Sequence, residues 1–492
     1  MKVLFVSRST YLNESLGVMQ LISILKHQGH KVEWILLQHH DILQSLSSLN
    51  PDVIAYSAMS VDIPLIKKAD DKVKQYSYIN NKRILRIMGG ASPTYYPGVI
   101  NDLELDAICQ GEGDRAIVAV LQRYHDNQSL EGVPNIALNA EGAKTKEMVD
   151  DLDSLPFPDR EFAYPDNSYL RHLGLRSVLT ARGCPFMCTY CMNSVLNTMF
   201  KGSGKIIRRR SVDNVIKELK EVVKNTQPVR MIRFADDTFS FTPNKWLEEF
   251  AEKYKRMINL PFYCMMRPNT LDKKSAELLS KAGCKSISMN IESGASEIRK
   301  GVLKRNISDD ILIRSFKIAK EYNLNVQSNS MIAVPGSKIS DDLNTLEVVR
   351  NIKPEMPTFD ILVPFKGTKI WELSVEMGVL DPSINTATGM FDSEGSILNN
   401  YTEKEKRIQL RIVNLGFLYC LAPRWFAPFI KMLILKDINI PFLSKIAYMI
   451  FFTIYNIRIF PPIIPRSPRY VWKMLKDTLS LVENAKVREG TE

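Results

Sequence analysis

The stretch Thr180-Ala-Arg-Gly-Cys-Pro-Phe-Met-Cys-Thr-Tyr-Cys-Met-Asn193 sets Cys184, Cys188 and Cys191 in a C-x3-C-x2-C spacing within one short loop. A cubane [4Fe-4S] cluster usually takes four thiolates, and a local triplet supplies only three. Such a loop can hold three irons and leave the fourth open to a small-molecule chelate. Zinc would want a fourth protein ligand at short range, typically as paired C-x2-C motifs. No second pair is present, and His172, upstream, is the candidate that zinc would need. Zinc and three unrelated cysteines are therefore the weaker readings.

With the aromatic Tyr190 just before the last cysteine, the segment resembles the cluster loop of the radical S-adenosylmethionine superfamily. The resemblance implies that the open iron chelates the amino and carboxylate groups of S-adenosylmethionine. The reduced cluster would then cleave the sulfonium to a carbon-centred radical.

At 492 residues the chain exceeds what one core usually supports, and three domains are expected. Hydrophobic residues at 45% are ample for burial. Cys109, Cys264, Cys284 and Cys420 are scattered singly, and the odd total of seven argues against a disulfide framework and for a reducing compartment. The opening apolar run ends at once in Arg8, so no signal peptide is expected and a cytoplasmic location is. A net charge of +11 suits nucleic acid, an acidic substrate or an anionic membrane face. The excess gathers at 201–210 and in the C-terminal part, which is not a uniform nucleic-acid footprint, and no nucleic-acid partner is expected.

Residues 1–140 alternate strands and helices, the pattern of a parallel sheet covered on both faces. Strands are predicted at 2–7, 32–37, 52–57, 83–88 and 107–109, and a helix at 17–27 ends at Gly29. Small residues sit where strands end, at Ser57-Ala-Met-Ser60, Gly89-Gly-Ala-Ser-Pro-Thr94 and Gly111-Glu-Gly113. Strand carboxyl ends form the ligand crevice of such a sheet. Gly29-His30, the Gly89 to Thr94 stretch and Gly111 to Gly113 resemble the Rossmann-like cobalamin-binding domain that precedes the radical domain in one branch of the superfamily. That likeness makes Ser57, Gly89, Gly90, Thr94, Gly111 and Glu112 candidate cobalamin contacts. The Asp-x-His-x-x-Gly element that ligates cobalt in other cobalamin proteins is missing, and His39 and His40 read as loop residues. Cobalt would then be five-coordinate or hold water. A sheet that has kept the fold and lost the cofactor is the plainer alternative.

Residues 141–170, with Pro156, Pro158 and Pro165, read as a linker. From 171 to 370, six strands are predicted, near 176–182, 229–236, 261–267, 286–292, 325–334 and 359–364. Apolar-periodic helices fall between them at 212–225, 245–257, 273–282, 309–322 and 341–352. This repetition implies parallel strands bent into a partial (β/α)6, TIM-like barrel, with function at the strand C-terminal ends. The cluster loop follows the first strand. Later strands end at Asp236 and Asp237, at Arg267, at Glu292 and Ser293, near Asn329 and Met331 running to Gly336, and at Lys366 to Thr368. In the cobalamin branch these places line the S-adenosylmethionine and substrate pocket, so Tyr190, Asp236, Asp237, Arg267, Glu292 and Ser293 are candidate cofactor contacts. Asp237 could equally cap a turn, and Arg267 could pair with a carboxylate. Ser211 is a natural N-cap, and its neighbours Arg208 to Arg210 are either ordinary or meet a phosphate or carboxylate.

Beyond 371 alternation stops and a helical C-terminal region, 371–492, is expected. The runs 426–435 and 438–460 are strongly apolar, broken by Pro441 and Lys445 and flanked by Lys431, Lys436, Arg458, Arg466, Arg469 and Lys473. A clean bilayer span takes about 20 apolar residues. An interfacial placement of 426–460, apolar side in lipid and cations toward head groups, is one reading; packing on the barrel is the other.

The resemblance thus implies a cobalamin-dependent radical S-adenosylmethionine enzyme using a [4Fe-4S] cluster, S-adenosylmethionine and cobalamin. It would be reduced by a flavodoxin or ferredoxin and methylate an unactivated carbon of a hydrophobic, lipid-like small molecule. A radical cyclase or carbon-carbon bond-forming enzyme of the same family is the alternative, and a non-catalytic membrane-bound iron-sulfur carrier or sensor is a third reading. A methylthio-transferring tRNA enzyme is disfavoured, because its N-terminal domain would need its own cysteine triplet and only Cys109 lies there.

Overall fold

The protein was analysed as a computed structural model, which describes residues 1–8, 14–164, 173–241, 245–384, 395–436 and 441–461. His172, the end of the 141–170 linker, and Arg466, Arg469 and Lys473 lie outside the described residues.

The N-terminal sheet joins β1 (Lys2–Ser7), β2 (Lys31–Leu36), β3 (Val53–Ser57), β4 (Leu85–Gly89), β5 (Ala107–Cys109) and β6 (Ile136–Ala137) in the order β2-β1-β3-β4-β5-β6. All neighbours are parallel except β6, which runs antiparallel to β5 and was not anticipated from the sequence. In β1 the alternation separates two cores. Val3 and Phe5 pack with Met19 and Ile22 of α1 (Leu16–His27) and Ile117 of α6 (Ala116–His125). Leu4 and Val6 pack with Leu46 of α2 (Ile42–Leu49) and with Ile66 and Val73 of α3 (Ile63–Ile79). A strand buried on both faces must be apolar throughout, which is why β1 reads as a continuous run. Two short helices, α4 (Ala91–Tyr95) and α5 (Val99–Leu103), follow β4.

The second sheet is wholly parallel and runs in sequence order: β7 (Leu175–Val178), β10 (Met231–Phe234), β11 (Phe262–Met265), β12 (Cys284–Ser288), β13 (Asn325–Ile332) and β14 (Met356–Ile361). β7 and β14 do not pair, so the barrel is open. Between β7 and β10 lies a small antiparallel ribbon, β8 (Ala181–Arg182) with β9 (Arg208–Arg209), flanking α7 (Met192–Met199). The outer helices are α8 (Val212–Asn225), α9 (Lys245–Met257), α10 (Lys273–Ala282), α11 (Asp309–Glu321) and α12 (Ile339–Ile352). Three start where the sequence offers an oxygen: Ser211, Asp272 and Ser308 accept from the amides of Asn214, Ser275 and Ile311.

Four further helices follow: α13 (Lys369–Glu376), α14 (Glu403–Leu421), α15 (Ala427–Leu435) and α16 (Pro441–Ile459). α14 covers β14, with Gly416 so close to Phe359 that a Cβ there would lie 2.8 Å from the ring. α16 crosses the N-terminal ends of β12 to β14. Ser286 Oγ donates to Ile459 O, Asn325 Nδ2 donates to Arg458 O at 2.7 Å, and Arg458 Nη1 donates to Glu355 O at 2.8 Å. Pro441, read from sequence as an interruption, opens this helix instead, where a missing N–H costs nothing. Among the described residues no helix is long and apolar enough to cross a membrane.

A buried charge knot joins the two sheets. The Glu14 carboxylate accepts from the Ser177 amide on β7, from Tyr164 Oη and from Arg160 Nη1 (2.8 Å). Arg160 Nη2 reaches Glu218 of α8 at 3.1 Å. Glu14 thereby occupies an amide on the open edge of the barrel.

Candidate functional site

The cysteine loop begins where β7 ends, and its entry is fixed by Asp236 from the neighbouring β10. Asp236 Oδ1 accepts from the amides of Thr180 (2.7 Å) and Ala181 (2.5 Å), and Oδ2 accepts from Thr180 Oγ1 (3.1 Å). Burial pushes the Asp236 carboxyl up to about 6, opposed by Arg209 and by those donors. The side chain is thus turned onto the loop's backbone. Gly183 follows with φ +91°, and a Cβ there would lie 1.9 Å from Ile206 O. Only glycine lets the chain pass the ribbon at that point.

Cys184, Cys188 and Cys191 are free thiols, the first two buried and the third half-buried. Burial raises Cys184, and takes Cys191 up to about 11; in both, the charges of Cys188 and Asp237 add to the effect. The three sulfurs therefore share one neighbourhood with Asp237, whose carboxylate faces the Gly183 amide and the Asn193 side chain. Among the described residues no three His, Cys, Asp or Glu groups close on a single ion. A cluster does not require that, because each thiolate takes a different iron. Three clustered thiols with a cation beside them suit that donor set: Arg267 Nη1 lies 3.3 Å from Cys188 Sγ, its guanidinium 3.9 Å above the Phe186 ring. No carboxylate pairs with Arg267 in the described structure; Asn269 Oδ1 accepts from its Nε at 2.9 Å.

Tyr190 Oη donates to Glu292 Oε1 at 2.9 Å, and Arg305 Nη1 lies 3.5 Å from the same oxygen. Glu292 is buried and holds φ +68°, a left-handed conformation costly for a non-glycine residue, while its amide and carbonyl bond Asn329 and Met331. Burial and the Glu292 charge push the Tyr190 phenol well up. Ser293 uses its carbonyl to accept from Arg299 Nη1 at 2.6 Å, and its hydroxyl accepts from the Ala295 amide.

Sequence reasoning singled out Asn329 on β13 but missed Gln327, two residues earlier on the same face, and Asp360 on β14. Gln327 and Asn329 are half-buried between the fully buried Val326, Ser328 and Ser330. Tyr263 Oη donates to Gln327 Oε1 (3.1 Å), and Asn329 Nδ2 donates to Asp360 Oδ2 (2.8 Å), a carboxyl raised by burial. Polar groups at every second position of a barrel strand were the available signal.

The N-terminal candidates gather at the other side of the loop. Ser57, Gly89, Gly90, Gly111 and Glu112 line a cavity of about 330 Å³ together with Leu179, Ala181, Arg182 and Arg210 from the barrel side. Thr94 does not line it. Its hydroxyl donates to Gly90 O (2.8 Å) and accepts from the Gly111 amide (3.1 Å), tying two glycine loops together. Glu112 is committed to arginine: Arg208 Nη2 lies at 2.7 Å from Oε1, and Arg208 Nη1 donates to Oε2 at 2.9 Å. Two residues on, Asp114 receives Arg182 Nη1 and Nη2 at 2.7 and 3.0 Å. Arg182 and Arg208 stand opposite each other in the β8–β9 ribbon, so the ribbon grips the 111–114 loop with two planar forks. Of the basic run, Arg208 and Arg210 meet carboxylates, Glu112 and Glu218, and Arg209 stacks over Trp246.

The cavity edge fits a corrinoid domain without a lower histidine. Gly89 and Gly113 border it; a Cβ at Gly89 would meet Cys109 at 3.8 Å, and one at Gly113 would meet Leu21 at 3.4 Å and Cys109 Sγ at 3.7 Å, with no backbone in the way of a ligand. His39 and His40 do not line it.

The Radical SAM superfamily model matches residues 178–349, and the B12 binding domain model matches residues 3–121. Residues 3–121 are thus a B12 binding domain and residues 178–349 a radical SAM domain. Such an enzyme uses a [4Fe-4S] cluster, S-adenosylmethionine and cobalamin. The chain is 23% identical over 379 residues to an uncharacterized methyltransferase of Pyrococcus horikoshii, covering 74% of this chain and 79% of the relative. It is 21% identical over 360 residues to the anaerobic magnesium-protoporphyrin IX monomethyl ester cyclase of Rubrivivax gelatinosus, covering 70% and 62%. Its fold matches the cobalamin-dependent S-adenosylmethionine radical enzyme OxsB with aqua-cobalamin bound at a TM-score of 0.69 and 14% identity, over 99% of this chain and 76% of that one.

Proposed function

We propose that this enzyme transfers a methyl group to an unactivated carbon of a small molecule with an apolar body. The observation that carries the reading is the double use of one segment: Ala181 and Arg182 line the cavity of the N-terminal sheet and lead directly into Cys184. When bound, the cluster and S-adenosylmethionine supply a hydrogen-abstracting radical, and the corrinoid supplies a methyl carrier.

The chain's own residues then divide the remaining work. Cys184, Cys188 and Cys191 would hold the cluster, and the Arg267 cation against the Cys188 sulfur would offset thiolate charge and favour the reduced state. Asp236 fixes the loop's entry through two amides, so that the three sulfurs are presented in one geometry. Tyr190, Glu292 and Arg305 form a buried donor-acceptor chain across the barrel mouth, suited to recognising the charged end of S-adenosylmethionine. Gln327, Asn329 and Asp360 offer hydrogen bonds for orienting a substrate. Apolar contact would come from the cluster of Leu303, Val334 and Leu362 with half-buried Met331. A flavodoxin or ferredoxin is the electron donor this chemistry calls for.

A cyclase is the second reading, favoured by the likeness to the Rubrivivax enzyme. Product analysis separates the two, because methyl transfer yields S-adenosylhomocysteine beside 5′-deoxyadenosine. The test of the radical site is Cys188→Ala in anaerobically reconstituted protein. Iron per chain should fall and 5′-deoxyadenosine should vanish; continued 5′-deoxyadenosine formation would sink the proposal.

A further inference from the structure

We infer that the C-terminal helices form a docking face for an anionic lipid surface, at the end of the barrel opposite the cluster loop. Among the described residues, eight of the nineteen exposed large hydrophobic side chains fall between Trp425 and Ile457. Exposed apolar side chains scattered singly need no explanation, whereas a concentration of them does. Trp425 is 81% exposed and lies 5.5 Å, ring to ring, from Phe426, which in turn lies 5.4 Å from Phe429. On α16 the exposed Ile446, Ile450, Thr453 and Ile457 recur at spacings of four, three and four, one stripe of a helix whose other side packs on β12 to β14.

Charge selects the occupant. Over the described stretches 423–436 and 441–461 the sequence carries Arg424, Lys431, Lys436, Lys445 and Arg458 and no acidic residue. Of these, Lys431 is paired with Glu347, while Arg424 and Lys436 are exposed at the two ends of α15, Arg424 adjoining Trp425 in the chain. An apolar stripe edged by cations, on helices that cannot span a bilayer, suits the boundary between acyl chains and acidic head groups. A protein partner for so basic a face would have to be acidic and apolar at once. α14 lies between Tyr401, bonded to Ser337 beyond the C-terminal end of β13, and its C-cap Ala422, bonded to Arg350 at the far end of α12. The apolar face therefore lies away from the barrel mouth, and it serves to anchor the enzyme and not to feed substrate into it.

The test needs no substrate and no cofactor readout. The full-length protein is sedimented with vesicles of pure phosphatidylcholine and of phosphatidylcholine with phosphatidylglycerol at seven to three, at low and high salt. Binding is expected on the anionic vesicles, with release at high salt. Trp425→Ser/Phe429→Ser, both at exposed positions, should lower partitioning about tenfold. A separate Arg424→Gln/Lys436→Gln variant should lower it about fivefold per cation removed. No binding to anionic vesicles, or equal binding of the parent and both variants, overturns the inference. So does a parent dimer that Trp425→Ser/Phe429→Ser converts to monomer without vesicle binding, which would assign the face to a second copy.

Discussion

Removing the Asp114 carboxylate should loosen the grip between the cavity loop and the cysteine loop while leaving both folded. Asp114 takes both arms of Arg182 at 2.7 and 3.0 Å, with side-chain exposures of 5% and 23%. Breaking a fully buried pair costs about 3–5 kcal/mol, because a charge is left without its partner. Here Arg182 keeps some solvent and a second carboxylate, Glu112, at 3.5 Å. Asp114→Ala is therefore expected to cost about 2–3 kcal/mol, less than for a fully buried pair. In hydrogen exchange by mass spectrometry this corresponds to opening made about 30- to 150-fold more frequent, if exchange reports local opening. The acceleration should appear in peptides covering 107–121 and 181–210 and be absent from α9 to α12. Iron content should hold, since no thiol is touched, which separates a loosened contact from a lost cluster. Exchange at 107–121 unchanged within a factor of about three would refute the view that the arginine forks hold these loops together.

Gly183→Ala introduces a Cβ at φ +91°, 1.9 Å from Ile206 O, and should cost more than about 1 kcal/mol from backbone conformation alone; a lowered melting temperature and reduced iron per chain are expected, and an unaltered iron content would contradict the role given to the ribbon. Asp342 is buried against the Ala333 amide and Gln409, and burial, with the charges of Asp341 and Glu405 adding, pushes it up to about 7. The folded protein holds a proton there that the unfolded chain releases above its ordinary value of 3.8, so this group's contribution falls as pH rises from about 4 to 7, by at most about 4 kcal/mol. Asp342→Asn should flatten the urea midpoint across that window, and an unchanged slope would argue that Asp342 ionises normally.

The helices and strands of the barrel were legible because each carries its own signal. α8, α9 and α10 begin and end where apolar period and caps place them, and β1 declares itself by an unbroken apolar run. β6 was missed because two residues hold no period, and its pairing depends on a chain reversal after α6. The cysteines named the chemistry of their loop, since ligand type and spacing lie within one segment. The roles of neighbouring charges did not follow. Glu112 stood out beside glycines and was read as a cofactor contact; it lines the cavity, but no sign in the sequence showed that its carboxylate is held by Arg208, nearly a hundred residues away. Asp236 and Asp237 are adjacent and looked interchangeable, but past the end of β10 the chain turns one onto the Thr180 and Ala181 amides and the other toward the thiols. Partners at long range are fixed by topology, which local pattern does not encode.

The knot at Glu14 bears on how the chain is made. As synthesis proceeds from the N-terminus, the first sheet is complete before β7 emerges. It already displays a carboxylate shaped to receive the Ser177 amide, on β7, the first of the two barrel strands that have a neighbour on only one side. The nascent barrel therefore grows from a strand whose free edge is shielded on arrival, and shielding such an edge is what keeps it from pairing with another chain. A barrel released without its first 140 residues would expose that edge and strand Glu218 and Arg160 without their third partner, so it should be recovered as aggregate and not as a smaller enzyme.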